Sequence, residues 1–381
     1  MKQPIHALTG LRFVAAFMIV LTHFGTPPSP PFVHNVLAHG FVAVTLFFIL
    51  SGFILTYSYL DREGNLNTSK RNFWVARFAR IYPVYLLGFV IYAPLAWQEI
   101  AEIAGKSASS PWIETGVFAV AALTLLQSWS SLAVLVWNPP AWSLSAEAFF
   151  YLLFPFVAPA ILRLSPRGLV AAGLVFWIAS LAGPLAPVVS THYDRNFFMF
   201  NPLLRLPEFL LGIVLGKFWM TRKRGDFDRY APYVAIGSAL VLLVFLSLGA
   251  RESVFLNGAT APPMMALIYS LACGRGLLAR LLATKPMVLL GEASYSLYLL
   301  HWPLWVAITY YLVNHLERFQ KGPSHFVACV LPIIALSILA FKFIEHPANR
   351  FLKSALSSRQ EPKGKLMEVA SPSSPPIRVT E

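Results

Sequence analysis

FVAVTLFFILSGFILTYSYL, from Phe41 to Leu60, runs without a single charge. A helix rises about 1.5 Å per residue, so this stretch covers the roughly 30 Å of a bilayer's hydrocarbon core. A membrane-spanning strand would alternate apolar and polar residues, and no alternation is visible here. The segment therefore reads as a transmembrane helix. Outward from it, long apolar stretches recur at Leu8 to Phe24, Ile81 to Trp97, Gly116 to Trp129, Trp142 to Leu162, Gly168 to Ala186, Leu203 to Met220, Ala231 to Leu248, Ala259 to Cys273, Met287 to Val313 and Phe326 to Ile344. The composition agrees: 57% of the 381 residues are hydrophobic and 12% charged, about half the charge of a soluble domain.

Basic residues collect on the cytoplasmic side of membrane proteins. Asp61 to Arg80 carries five Lys or Arg, Arg163 to Arg167 two, Arg222 to Arg229 four and Arg275 to Lys285 three. The loops after Phe24, Ala186, Leu248 and Val313 carry none, one, one and two. This alternation predicts cytoplasmic N- and C-termini, which demands an even number of crossings. Eleven segments are one too many, and the short Gly116 to Trp129 stretch is read as an interfacial or re-entrant piece. The expected architecture is an all-α polytopic membrane protein with about ten transmembrane helices, one domain over 1–350. Residues 351–381, rich in Ser, Pro and charge from about Ser354, are expected to form a disordered cytoplasmic tail. No small-residue cleavage site precedes the second span, so the first is not read as a signal peptide.

The net charge of +13 sits in short loops beside apolar spans, which points to anionic lipid headgroups and away from nucleic acid. Cys273 and Cys329 lack metal-ligand spacing, and neither a metal site nor a disulfide is expected.

Ionisable residues within apolar spans are costly and mark candidate sites. Arg12 and His23 share the first span, eleven positions apart, facing one way with roughly 16 Å of rise between them. They fit either a snorkelling arginine and a span-ending histidine or two groups looking into one wet cavity joining both membrane faces. Ser51 and Gly52 lie at mid-span, where small residues usually serve helix packing; Gly212 to Gly216 reads likewise. RFARIYP puts Arg77 and Arg80 one turn apart just before the third span, as a positive anchor or as a clamp for phosphates. In NPPAWSLSAEAFFY, Ser143 reads as an N-cap with Glu147 one turn on. Arg205 and Glu208 are spaced to pair on one helix. Ser294, Tyr298 and His301 follow an i, i+4, i+7 stripe, which suggests a hydrated interior face.

Taken in order, Arg12 with ten residues before His23, FFILSGF, RFARIYP, WSLSAE, RLPEFLLG and SYSLYLLHWP resemble the membrane acyltransferase 3 family, over about Leu8 to Arg350. The resemblance implies transfer of an acyl group, usually acetyl from cytoplasmic acetyl-CoA, to a hydroxyl of an extracytoplasmic carbohydrate such as lipopolysaccharide, exopolysaccharide, peptidoglycan or a glycosylated small molecule. It implies a bacterial inner membrane and marks Arg12, His23, Arg77 and Arg80 as functional. Under it, Arg77 and Arg80 bind the CoA phosphates and His23 is general base or, as the lesser alternative, an acyl-carrying nucleophile. Glu147 orients or deprotonates an imidazole, and Ser143, Tyr298 and His301 bind the acceptor. Some family members append a soluble esterase-like domain; this chain leaves no room for one after Arg350 and is expected to act alone or with a partner. The rival reading from another class is a secondary transporter or flippase for a glycan or lipid-linked substrate, although no pair of matching halves with broken helices is visible.

Overall fold

A computed structural model describes residues 3–24, 29–107, 110–183, 185, 192, 194–222, 225–248, 256–315 and 323–356. Among them the fold is all-α, with a single isolated β-bridge between Leu60 and Leu66. The helices are α1 (His6–His23), α2 (Pro31–Ala38), α3 (Ala43–Tyr59), α4 (Lys70–Ser107), α5 (Pro111–Leu123), α6 (Trp142–Leu162) and α7 (Pro166–Ser180). They continue as α8 (Arg195–Phe200), α9 (Pro202–Thr221), α10 (Asp226–Ser247), α11 (Leu256–Ala272), α12 (Gly276–Leu282), α13 (Lys285–Glu292), α14 (Ser294–His315), α15 (Pro323–Ala340) and α16 (His346–Leu356), the last two joined by a π-helical turn, Phe341–Glu345.

Among the described residues, seven helical stretches are long and apolar enough to cross a membrane, and α11 with α12 makes an eighth if that pair, bent by 80°, is one span. Leucines, valines and isoleucines that would be misplaced in water lie exposed along α7 and α10, among them Val175, Ile178, Leu240 and Val244, as expected where lipid is the solvent. The protein is a polytopic membrane protein. Gly116 to Trp129 falls on α5, whose 13 residues span about 20 Å, followed by a 3-10 turn at Gln127–Trp129; α5 and α7 are both shorter than the seven long apolar stretches.

Prolines were weak guides to helix ends. RFARIYP is not the end of a loop: α4 runs unbroken through Pro83 and Pro94, so Arg77 and Arg80 are helical. In a bilayer the backbone has no water to turn to, and a helix carries proline at the loss of one bond rather than unwinding. Ser143 is likewise not an N-cap. A 3-10 turn at Pro139–Ala141 feeds straight into α6, whose N-cap is Ala141, leaving the Ser143 side chain for other bonds. The stretch read as one span from Met287 to Val313 is two helices, α13 and α14. At the C-terminal side α16 continues to Leu356, within the segment expected to be a disordered tail; residues 357–381 lie outside the described set.

Close packing of α3 on α9 holds the centre. A Cβ at Gly52 would stand 2.2 Å from the Phe209 carbonyl oxygen, and one at Gly212 would stand 2.0 Å from that of Ile49, so the two backbones touch where both sequences have glycine. This is the small-residue contact expected of membrane helices. It turns the neighbouring Ser51 towards α6, into the site described next.

Candidate functional site

Two cavities lie along the bundle axis. The first opens among α1, α3, α4, α6 and α14 and is lined by Arg12, Arg77, Arg80, Ser51, Glu147 and Ser294, together with Tyr298. The second, towards the opposite end of α1, is lined by His23, His39, Trp142, Arg195, Arg205 and again Tyr298. The stripe on α14 connects them. Ser294 faces the arginine cavity, Tyr298 stands in the wall of both, and His301, fully buried, lies against His23.

The arginine cavity gathers three guanidinium groups from two helices. Arg77 donates to Tyr59 Oη at 3.0 Å and lies over the Tyr59 and Tyr151 rings, while its Nε has no partner. Arg80 is paired with Glu345 of the π-helical turn, and Glu345 also accepts from Ser296 Oγ at 2.6 Å. Glu147 is the carboxylate whose charge bears on Arg12 and Arg77. It accepts from Ser51 Oγ at 3.2 Å and, closely, from Tyr151 Oη. Glu147 thus bonds to Ser51 and Tyr151 in the arginine cavity, and among the described residues it makes no bond to an imidazole, the partner expected for it. Glu345, Tyr59 and Tyr151 were missed. The only signal for Glu345 was a carboxylate at the very end of the last apolar run, in FKFIEH.

The histidine cavity contains a relay whose proton positions follow from its neighbours. Nδ1 of His301 lies 2.6 Å from the carbonyl oxygen of Tyr298 and 3.3 Å from that of Leu297. A carbonyl only accepts, so Nδ1 carries the hydrogen, and in a neutral imidazole the other nitrogen then carries the lone pair. Nε2 of His301 is 3.1 Å from Nδ1 of His23, so His23 must donate from Nδ1. The lone pair of His23 is left on Nε2. Two stacked constraints thus present one basic nitrogen in a set tautomer, with Trp302 edge-on to the ring at 5.6 Å between centroids. His301, expected to bind the acceptor, contacts His23 and is not among the residues that line either cavity.

Ser143 and Tyr298 share a bond of 2.7 Å, and the Tyr298 hydroxyl also lies 2.6 Å from the Pro140 carbonyl oxygen. Tyr298 and Val44 stand in the walls of both cavities, and Phe47 packs edge-on against the Tyr298 ring. Arg12 lines the first cavity and His23 the second, so the single space that their shared helix face suggested is found as two cavities with a wall in common. Arg205 and Glu208 pair at 2.9 Å, as their spacing indicated, and Thr45 bridges them, accepting from Arg205 at 3.1 Å and donating to Glu208 at 3.2 Å.

Buried ionisable groups facing two cavities from opposite ends of a helical membrane bundle define an integral membrane protein with an internal polar site. The chain belongs to the acyltransferase family: the model described as "Acyltransferase domain" matches residues 5–342. It is 27% identical over 368 residues to O-acetyltransferase OatA of Staphylococcus aureus, covering 90% of this chain and 57% of that protein. It is 28% identical over 390 residues to acyltransferase MdmB of Streptomyces mycarofaciens, covering 91% of this chain and 92% of that one. The chain thus spans little more than half the length of OatA. No solved structure matches it.

Proposed function

We propose that this protein is a membrane O-acyltransferase that moves an acyl group, acetyl in the simplest case, from acyl-CoA bound at the arginine cavity to a glycan or glycosylated hydroxyl in the histidine cavity. The observation that carries this reading is the Tyr298 carbonyl–His301–His23 relay, which leaves a lone pair on His23 Nε2 at one cavity while a cluster of arginines waits in the next.

The arginine cavity lies at the end of α1 nearest the basic loops, so we assign it to the cytoplasm, where acyl-CoA is made. Ten crossings follow if α5 does not span and α1, α3, α4, α6, α7, α9, α10, α11, α14 and α15 do, with both termini cytoplasmic in a bacterial inner membrane. In the reaction, Arg77 and Arg12 hold phosphate oxygens of the donor, for which guanidinium forks are suited. Arg80 joins them on releasing part of its hold on Glu345. The acceptor oxygen attacks the thioester carbonyl as its proton passes to His23 Nε2; the C–O bond forms, the C–S bond breaks, and the proton ends on the departing CoA thiol. A positioned base of this kind contributes about 10²- to 10⁴-fold. His301, accepting from Nδ1, steadies the imidazolium formed on the way.

The test is acylation of surface glycans in cells carrying His23→Ala or Arg77→Ala, with membrane levels of each variant verified, alongside CoA release by the purified protein. Both variants should lose acylation. Full activity in both rejects the assignment, and substrate movement without CoA release would favour a transporter.

A further inference from the structure

The histidine cavity has a charge pattern that bears on which acceptor it takes. Arg205 and Arg195 line it together with His23 and His39, and no Asp or Glu among the described residues does. Arg205 is built in. Only 5% of it is exposed, its guanidinium lies over the Phe48 and Trp142 rings, and one face is tied to Glu208 and Thr45. Its Nε is buried without a partner, a donor whose unmet bond costs about 1–3 kcal/mol. Arg195 starts α8, is exposed, and makes no ion pair among the described residues. Trp142 and Phe200 stand beside them, ring centroids 4.8 Å apart, offering aromatic faces of the kind on which a sugar's C–H face can pack. His39 is occupied differently, its Nδ1 held 2.7 Å from the Asn35 carbonyl oxygen and 3.1 Å from that of Leu246.

We propose that the acceptor is an anionic saccharide, one whose ring carries or adjoins a carboxylate or phosphate, held by Arg195 and the unpartnered edge of Arg205 while its hydroxyl reaches His23. A neutral sugar's hydroxyl could accept from the Arg205 Nε, but it would leave the Arg195 charge without a counterion in a cavity whose lining holds two arginines and no carboxylate. An oxyanion meets both with charge-assisted bonds, roughly twice as strong as neutral ones. This inference rests on the acyl-transfer reading and extends it to the chemistry of the acceptor.

The experiment uses the full chain in its own membrane. Surface glycans from a strain lacking the gene, and from the same strain complemented with the native protein, Arg195→Gln or Arg195→Lys, are compared by mass spectrometry for ester-linked acyl groups. The expected result is that the acyl groups restored by the native protein sit on residues bearing or bonded to a carboxylate or phosphate. Arg195→Gln should cut them at least about tenfold at equal membrane abundance, with Arg195→Lys recovering much of the loss. Acyl groups restored only on uncharged sugars distant from any anion would overturn the proposal and leave acyl transfer standing, as would an Arg195→Gln strain indistinguishable from the native one. Identical glycans in all strains would remove the acyl-transfer reading itself, and this inference with it.

Discussion

Replacing His301 separates a positioning role from a packing one. His301→Leu preserves much of the side-chain volume in a fully buried position but deletes the Nε2 that accepts from His23 Nδ1 at 3.1 Å. In the ground state this is a bond between neutral rings, while in the transition state His23 is becoming an imidazolium and the bond turns charge-assisted. Hydrogen bonds to charged groups are worth about 1.5–3 kcal/mol, and at 1.36 kcal/mol per tenfold in rate the loss corresponds to a fall of about 10- to 150-fold in kcat. KM for acetyl-CoA should stay within about twofold, because the arginine cavity lies beyond Tyr298. His301→Gln can place its amide oxygen near the position of Nε2 and should recover most of the rate. The assay is CoA release by purified protein in detergent or nanodiscs, with thermal melting to confirm folding. A well-folded His301→Leu protein with native kcat would refute the relay, and so would a His301→Gln variant as slow as His301→Leu.

Arg77→Gln should raise KM for acetyl-CoA by about 10- to 100-fold, the cost of one charge-assisted contact, with kcat at saturating donor nearly unchanged; an unaltered KM in steady-state kinetics would dismiss Arg77 as a phosphate ligand. Gly212→Ala puts a methyl group 2.0 Å from the Ile49 carbonyl oxygen and should destabilise the bundle by about 1–3 kcal/mol or more, lowering the melting temperature in detergent; native-like melting would show that α3 and α9 can separate freely. Glu345→Ala strands Arg80, whose side chain is 23% exposed against 1% for Glu345. That partial hydration should hold the loss to about 1–3 kcal/mol, less than for a fully buried pair, with Glu345→Gln milder because it can keep the Ser296 bond; equal melting of both variants would contradict this. Asp61, in the loop before α4, accepts from the Glu63 and Asn65 amides at 3.0 and 2.7 Å, which holds its carboxyl below the ordinary value. Its contribution to the loop is therefore present above the unfolded-state value and is lost as pH falls through the lowered one; protection of the 61–67 amides, taken relative to their intrinsic exchange rates, should fall only in acid, and a loss of protection near neutral pH would contradict the assignment.

The membrane architecture was legible because it rests on an additive property, apolar length, that the alternation of basic loops checks independently. Single-element contacts were legible too: Gly52, Gly212 and the Arg205–Glu208 pair need only the period of one helix or the size of one residue. What failed depended on how helices meet. Arg12 and His23 are spaced for one face of α1, but the period of one helix says nothing of Tyr298, which another helix contributes to the walls of both their cavities. Glu147 was assigned to an imidazole because it is the carboxylate of a motif, whereas Ser51 of α3 and Tyr151 of its own helix take its bonds. Glu345 lies almost two hundred residues beyond Glu147, and only the packing of the C-terminal segment on α4 brings it to Arg80. The two prolines before Ser143 did mark the start of a helix, but the 3-10 turn at Pro139–Ala141 runs straight into α6 and moves the cap to Ala141.

The division at Tyr298 is consistent with acyl transfer across a membrane, although it departs from the single wet passage that the residues of α1 suggested. Moving a charge through a bilayer releases about 2.3 kcal/mol per 100 mV, so a water column open to both faces, lined by histidines and arginines, would dissipate the membrane potential as a leak. Chemistry needs only the thioester carbon, one hydroxyl and one imidazole to meet. A side chain that closes the passage at rest and yields to the narrow arm of a bound donor would let them meet without joining the two aqueous phases. Tyr298 has the properties for this: its hydroxyl is held by Ser143 and the Pro140 carbonyl, bonds that one rotamer change breaks, and it sits on the same helix as His301, whose Nδ1 is bonded to Tyr298's own backbone oxygen. Under the proposed function, displacement of the tyrosine side chain and orientation of the base would be linked through a single residue, because the carbonyl that fixes the His301 tautomer is Tyr298's own.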